Sequence, residues 1–223
     1  MVLSEGVLSE GIVSEGNLGQ SALNPGAATQ GPGVELVGRH LDDLAAAARV
    51  AQSAVPVVAE WGQRLAEVFA AGGKLLACGN GGSAAEAQHL TGELLGRFRD
   101  ERRPLPAVAL SADSAAVTAI ANDYGFEELF ARQVQAYGRP GDVLVALSTS
   151  GTSPNVIAAA KAGLDLGVTV WAMTGPGPNP LAALSDSAIA VDAPTVATVQ
   201  EIHLSLVHAL CIGLDRALQV TEW

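Results

Sequence analysis

This chain is poor in the residues that nucleic-acid surfaces and extracellular scaffolds require. Of its 223 residues, 12 are Lys or Arg against 23 Asp or Glu, a net charge of -11, and no basic run is longer than Arg102-Arg103. A phosphate backbone is held by clustered cations, so this balance argues against a nucleic-acid partner. Aromatic residues make up 4% of the chain, too few for a base-stacking platform. The two cysteines, Cys78 and Cys211, stand far apart in apolar stretches, which excludes a disulfide framework and suits a reducing cytoplasm. The first basic residue is Arg39, so no positively charged leader region opens the sequence. No uninterrupted apolar run reaches the about 18 residues of a membrane span. The expectation is a cytoplasmic protein, neither exported nor membrane-spanning.

What the chain does have is apolar surface to bury: 49% hydrophobic residues and a mean hydropathy of +0.31. That is ample for one α/β domain and leaves no room for a second full one. Residues 2–16 repeat a VLSEG-like pentad three times, and residues 17–33 are rich in Gly, Ala, Gln, Asn and Pro. Five-residue units cannot build a solenoid, so residues 1–33 are expected to be a disordered low-complexity tail, with residues 34–223 forming the domain. Apolar spacing of three to four predicts two helices, about 34–53 and 55–71, stopped by Gly72-Gly73. Short apolar runs then alternate with helical segments. The runs are LLACG at 75–79, AVAL at 107–110, DVLVALS at 142–148, VTVWAMTG at 168–175 and AIAVDA at 188–193. They are continuous rather than alternating, as strands covered on both faces read, so the fold class is α/β, a three-layer sandwich on a five-stranded parallel sheet. A long helix over about 196–219 closes the chain.

Two turns stand where such sheets bind ligands, beyond the carboxyl ends of strands. In Gly79-Asn80-Gly81-Gly82-Ser83 the glycines allow close backbone approach, and Ser83 reads as an N-cap whose neighbouring amides would cradle an anion. In Ser148-Thr149-Ser150-Gly151-Thr152-Ser153-Pro154, Ser153 reads as an N-cap with Pro154 at the first helical position, so hydroxyls and free amides converge there. Neither turn has dinucleotide or P-loop spacing, which points to a sugar phosphate. On the helix after the first turn, His89 and Glu93 share a face, as an acid/base or metal-ligand pair. In the last helix, Gln200 and His208 lie a little over two turns apart and can face one pocket. His203 falls off that line and reads as structural. By itself, Asn122-Asp123-Tyr124-Gly125 reads as a helix-ending turn.

The ordered set CGNGGS, AxAQH, GEL, ANDYGF, GDVLxxxSTSGxS and QEIHxxxxH resembles the sugar isomerase (SIS) domain family, and within it the phosphoheptose isomerases, over about residues 34–220. The resemblance implies substrate contacts from Asn80, Gly81, Gly82 and Ser83, from Asn122 and Asp123, and from Glu93 and Gln200. It implies phosphate contacts from Ser148, Thr149, Ser150 and Ser153. It also implies one zinc per subunit on His89, Glu93, Gln200 and His208, a homotetramer, and interconversion of sedoheptulose 7-phosphate with its aldose, with Glu93 as base and His208 as acid/base partner. One departure stands out: the family commonly carries Asp-Arg where this chain has Ala197-Thr198. Two rivals share the scaffold, a non-catalytic adaptor that binds a replication initiator and an isomerase for a different phosphosugar. The retained Glu93, Ser150 and His208 weigh against the adaptor.

Overall fold

Five short strands, β1 (Leu75–Cys78), β2 (Ala107–Ala109), β3 (Val143–Ser148), β4 (Thr169–Thr174) and β5 (Ser187–Ala190), form one parallel sheet in the order β2-β1-β3-β4-β5. The computed structural model describes residues 31–219. The VLSEG repeat, and the expected tail up to residue 30, lie outside the described residues. The chain divides into two units, Met1–Val37 and Gly38–Trp223. Of the first, the described part is Gly31 and the opening of helix α1 (Pro32–Ala51). That helix starts two residues earlier than the sequence reading has it, because Pro32 is pre-set for the first helical position.

The sheet belongs wholly to the second unit. Every residue of β1 and β3 is buried, which is why both read as unbroken apolar runs. One face of the sheet, through Leu75, Ala77, Val143, Val145 and Met173, packs on α2 (Val55–Ala70), α3 (Gly82–Leu95) and α8 (Val196–Ala217). The other face, through Leu76, Cys78, Leu144, Ala146 and Val170, packs on α5 (Leu129–Tyr137), α6 (Pro154–Asp165) and α7 (Pro180–Leu184). α4 (Ser114–Tyr124) has no buried residue. Gly72, at a φ of 82°, ends α2 where the sequence places the stop.

The strand order has a functional consequence. From β1 the chain moves outward to β2, then crosses back to β3 on the other side of β1, so the direction of winding reverses between β1 and β3. Their register pairs Leu75 with Val143 and Cys78 with Ala146. A ligand crevice forms outside the carboxyl ends at such a reversal, and both turns singled out in the sequence follow these two strands.

Helix α8 is long and apolar enough to cross a membrane by length and composition, with a hydropathy of 1.3. Its apolar side packs in the core through Val199, Ile202, Leu206, Leu210 and Leu214, and its remaining positions carry Gln200, Glu201 and His208. Close packing of α8 on α2 depends on glycine: a Cβ at Gly62 would stand 2.7 Å from the Gly213 carbonyl carbon and 2.8 Å from Leu214 N. Backbone cannot yield as a side-chain tip can. Gly62→Ala is therefore expected to force the helices apart and lower stability by about 2 kcal/mol, read as a shifted denaturation midpoint; an unchanged midpoint would refute the close approach.

Candidate active site

The first turn is tighter than the sequence reading has it. α3 begins at Gly82, its cap is Gly81 at φ 55°, and no side chain caps it. Ser83, expected as the N-cap, is instead a buried residue inside the first turn. The chain doubles back so closely that a Cβ on Gly79 would meet the Ser83 carbonyl oxygen at 2.6 Å. The positive φ of Gly81 makes that reversal, and the helix starts early as a result.

The second turn does begin its helix at the expected place, with Ser153 as cap and Pro154 first. Ser153 makes no capping bond; its hydroxyl faces Ser148 Oγ at 3.0 Å, and Ser148 Oγ lies 3.4 Å from Ser150 Oγ. The hydroxyls converge as expected, but two of the amides are already engaged. Gly151 N donates to Ser148 Oγ at 3.2 Å and Thr152 N to Ser150 Oγ at 3.2 Å. Gly151 N also donates to the Ser148 carbonyl at 3.0 Å, so of the two it is the Thr152 amide whose single bond, long by the usual standard, is within reach of exchange for a stronger acceptor such as a phosphate oxygen. Thr149 lends its carbonyl to Gly175 N at 3.1 Å, tying the loop to the end of β4.

A residue without a motif joins the two turns. Asn155 is buried, and it exchanges both side-chain hydrogen bonds with Asn80 at 2.8 Å each. Its amide oxygen also accepts from Val156 N at 3.0 Å. The sequence signal existed: Asn155 shares the inward face of α6 with Ala159 and Ala162, and an inward polar group needs a partner. Gln200 closes the other side of the first turn, for a Cβ on Gly82 would fall 2.3 Å from its Nε2.

Across from the turn, α3 and α8 bring three donor groups together. His89 Nε2 stands 2.8 Å from His208 Nε2 and 3.1 Å from Glu93 Oε1, and one ligand atom from each of the three lies within 4.8 Å of the others. Two imidazoles and a carboxylate form a donor set that a divalent transition metal accepts, and ligand atoms of a tetrahedral zinc stand about 3.3 Å apart. The spacing fits. Phe98, unremarked in the sequence, stacks against His208 with ring centroids 5.7 Å apart. Nearby, burial pushes the Cys211 thiol up to about 12, helped by the charges of Glu93 and Asp215, so it stays a neutral thiol.

The remaining expected residues sit elsewhere. Asn122 and Asp123 are exposed at the end of α4, where Asn122 Nδ2 donates to Asp123 Oδ1 at 2.7 Å. No hydrogen bond among the described residues joins them to the two turns or to α8. His203 is fully buried, and its Nε2–H donates to the Thr174 carbonyl at 3.0 Å, as a structural histidine would; Nδ1 faces Glu86 Oε2 at 3.7 Å. At the Ala197-Thr198 departure, Thr198 is buried and its N–H donates to Thr195 Oγ1, the cap of α8, at 3.1 Å.

Comparison with known proteins gives the family. The SIS domain family matches residues 43–175. A phosphoheptose isomerase of Streptomyces coelicolor is 57% identical over 183 residues, 82% of this chain and 79% of the relative. Solved phosphoheptose isomerases from Neisseria gonorrhoeae and Francisella tularensis are 42% and 36% identical, with TM-scores of 0.76 and 0.78, each match covering 82% of this chain and 98% of theirs. The chain belongs to the SIS domain family, and within it to the phosphoheptose isomerases.

Proposed function

We propose that the chain is an aldose-ketose isomerase that converts D-sedoheptulose 7-phosphate to D-glycero-D-manno-heptose 7-phosphate through an enediolate. The observation that carries this reading is the meeting of His89, Glu93 and His208 beside two joined ligand turns. Isomerisation needs a base to take the proton next to the carbonyl, a second group to move the hydroxyl proton, and stabilisation of the enediolate charge. Glu93 serves as base. Its Oε1 faces His89, which leaves Oε2 for the substrate carbon. His208 exchanges the hydroxyl proton through the ring nitrogen that is not a metal ligand.

His89, Glu93 and His208 would hold one zinc, which supplies Lewis-acid polarisation of the carbonyl oxygen. Gln200, the fourth ligand by family resemblance, packs its amide against Gly82 in this structure and is assigned to the substrate there as well. The phosphate goes to Ser148, Thr149, Ser150 and Ser153. Asn80, Gly81, Gly82 and Ser83 hold the sugar, with Asn122 and Asp123 as further substrate contacts. The two buried free thiols suit a cytoplasmic enzyme. Apolar residues left exposed in the second unit, Leu41, Val50 and Val55, support assembly as a homotetramer.

The direct test follows conversion of sedoheptulose 7-phosphate by NMR, after chelation and again after zinc is restored. The aldose is expected with zinc, its formation lost on chelation and recovered on addition. No aldose under any metal condition would sink the reading. A second test separates site from fold. In Gly82→Ala the three atoms nearest the added methyl all belong to the flexible end of Gln200, so the thermal midpoint is expected to hold while turnover falls about a hundredfold through the displaced amide. Undiminished turnover would remove the Gly82-Gln200 contact from the site.

A further inference from the structure

Arg102 lies in the irregular segment between α3 and β2, and its side chain is 3% exposed. The guanidinium donates from Nε to Asp215 Oδ1 at 2.9 Å. One terminal nitrogen donates to the Leu94 carbonyl at 3.0 Å and the Arg103 carbonyl at 3.3 Å, and the other to the Glu93 carbonyl at 2.7 Å. Glu93 and Leu94 belong to the last turn of α3, where carbonyls lack intrahelical partners and the helix dipole favours a cation. One side chain thus caps α3 at the residue whose carboxylate enters the site.

The other end of the contact is equally placed. Asp215 stands on α8 seven residues, two turns, beyond His208, so the two share a face of that helix. Cys211 lies between them on the helix and is buried, as Arg102 and Asp215 are. Asp215 Oδ2 has no partner among the described residues. A buried ion pair with an unsatisfied oxygen is a poor way to gain stability, since apolar residues of the same volume often do as well or better. Its worth is geometric.

We propose that Arg102 and Asp215 form a clamp that fixes the spacing of Glu93 and His208, so that Arg102 is a positioning residue for the isomerisation. The proposal rests on the function assigned above. The clamp holds the Glu93 main chain directly and α8 through Asp215, and it leaves the Glu93 carboxylate only its own side-chain rotations. Partners that orient ligands from behind typically carry a 10- to 100-fold share of metal affinity.

The test compares Arg102→Lys and Asp215→Asn with the unaltered chain. Lys74→Met, which breaks the Lys74-Asp142 ion pair at the opposite end of β1, serves as a stability control. Three quantities are read: the unfolding midpoint, zinc affinity of the metal-free protein by chelator competition, and kcat with KM. Both clamp variants are expected to bind zinc about tenfold more weakly and to lose kcat with KM held within about twofold, while Lys74→Met loses midpoint alone. Normal zinc affinity and kcat in a folded Arg102→Lys would overturn the clamp. If that variant does not fold, Asp215→Asn decides by the same readouts, and failure of both to fold assigns the pair to stability and overturns the proposal. An unaltered chain that binds no zinc would instead refute the metal assignment, and the kcat comparison would then judge the clamp.

Discussion

The site depends on β1 and β3 lying side by side. Because the winding reverses between them, the turn that leaves β1 and the turn that leaves β3 lie side by side at the carboxyl edge, where such sheets bind ligands, although their helices cover opposite faces of the sheet. The Asn80-Asn155 exchange then fastens the turns to each other. A glycine turn alone, or a hydroxyl loop alone, is a common way to start a helix. Held a fixed distance apart, they are the proposed two ends of a site for a molecule with a phosphate at one end and hydroxyls along its length.

The proposed chemistry comes from the helical layer on one face of the sheet. α3 leaves the first turn carrying His89 and Glu93, and α8 lies against it carrying Gln200 and His208. The packing that brings α8 there is unforgiving: Gly62 admits its backbone, and Arg102 ties its far end to α3. This explains how an apolar helix of 22 residues can serve as a core element and still present polar groups to the site. Its apolar side faces α2 and the sheet, and Gln200 and His208 lie where it meets α3. Glu201 turns instead to His40 at 2.9 Å.

The strands were legible because both faces of the sheet are covered, which leaves continuous apolar runs at 75–79 and 142–148. The two turns were legible because Gly81 needs a positive φ and because Ser153-Pro154 is a strong helix start. What was not legible depended on contacts distant in sequence. Nothing near Ser83 announces that Gly79 brings the chain back so tightly that the cap moves to Gly81. Asn155 meets its side-chain partner Asn80 75 residues away, and Arg102 sits in a polar segment that reads as solvated surface until Asp215, 113 residues away, is seen to meet it. The family resemblance located His89, Glu93 and His208 one by one, but their convergence is a property of how α3 and α8 pack. Asn122 and Asp123 show the converse: the motif marks them, and the fold leaves them exposed at the end of α4.

In the proposed site the two turns hold the phosphosugar and the Glu93 carboxylate removes the proton. The most direct measurement is phosphosugar binding by calorimetry beside turnover by NMR for Glu93→Gln, which keeps the shape of the side chain and removes its basicity. Binding is expected to persist and turnover to vanish. Undiminished turnover in that variant would contradict the role of Glu93 as base.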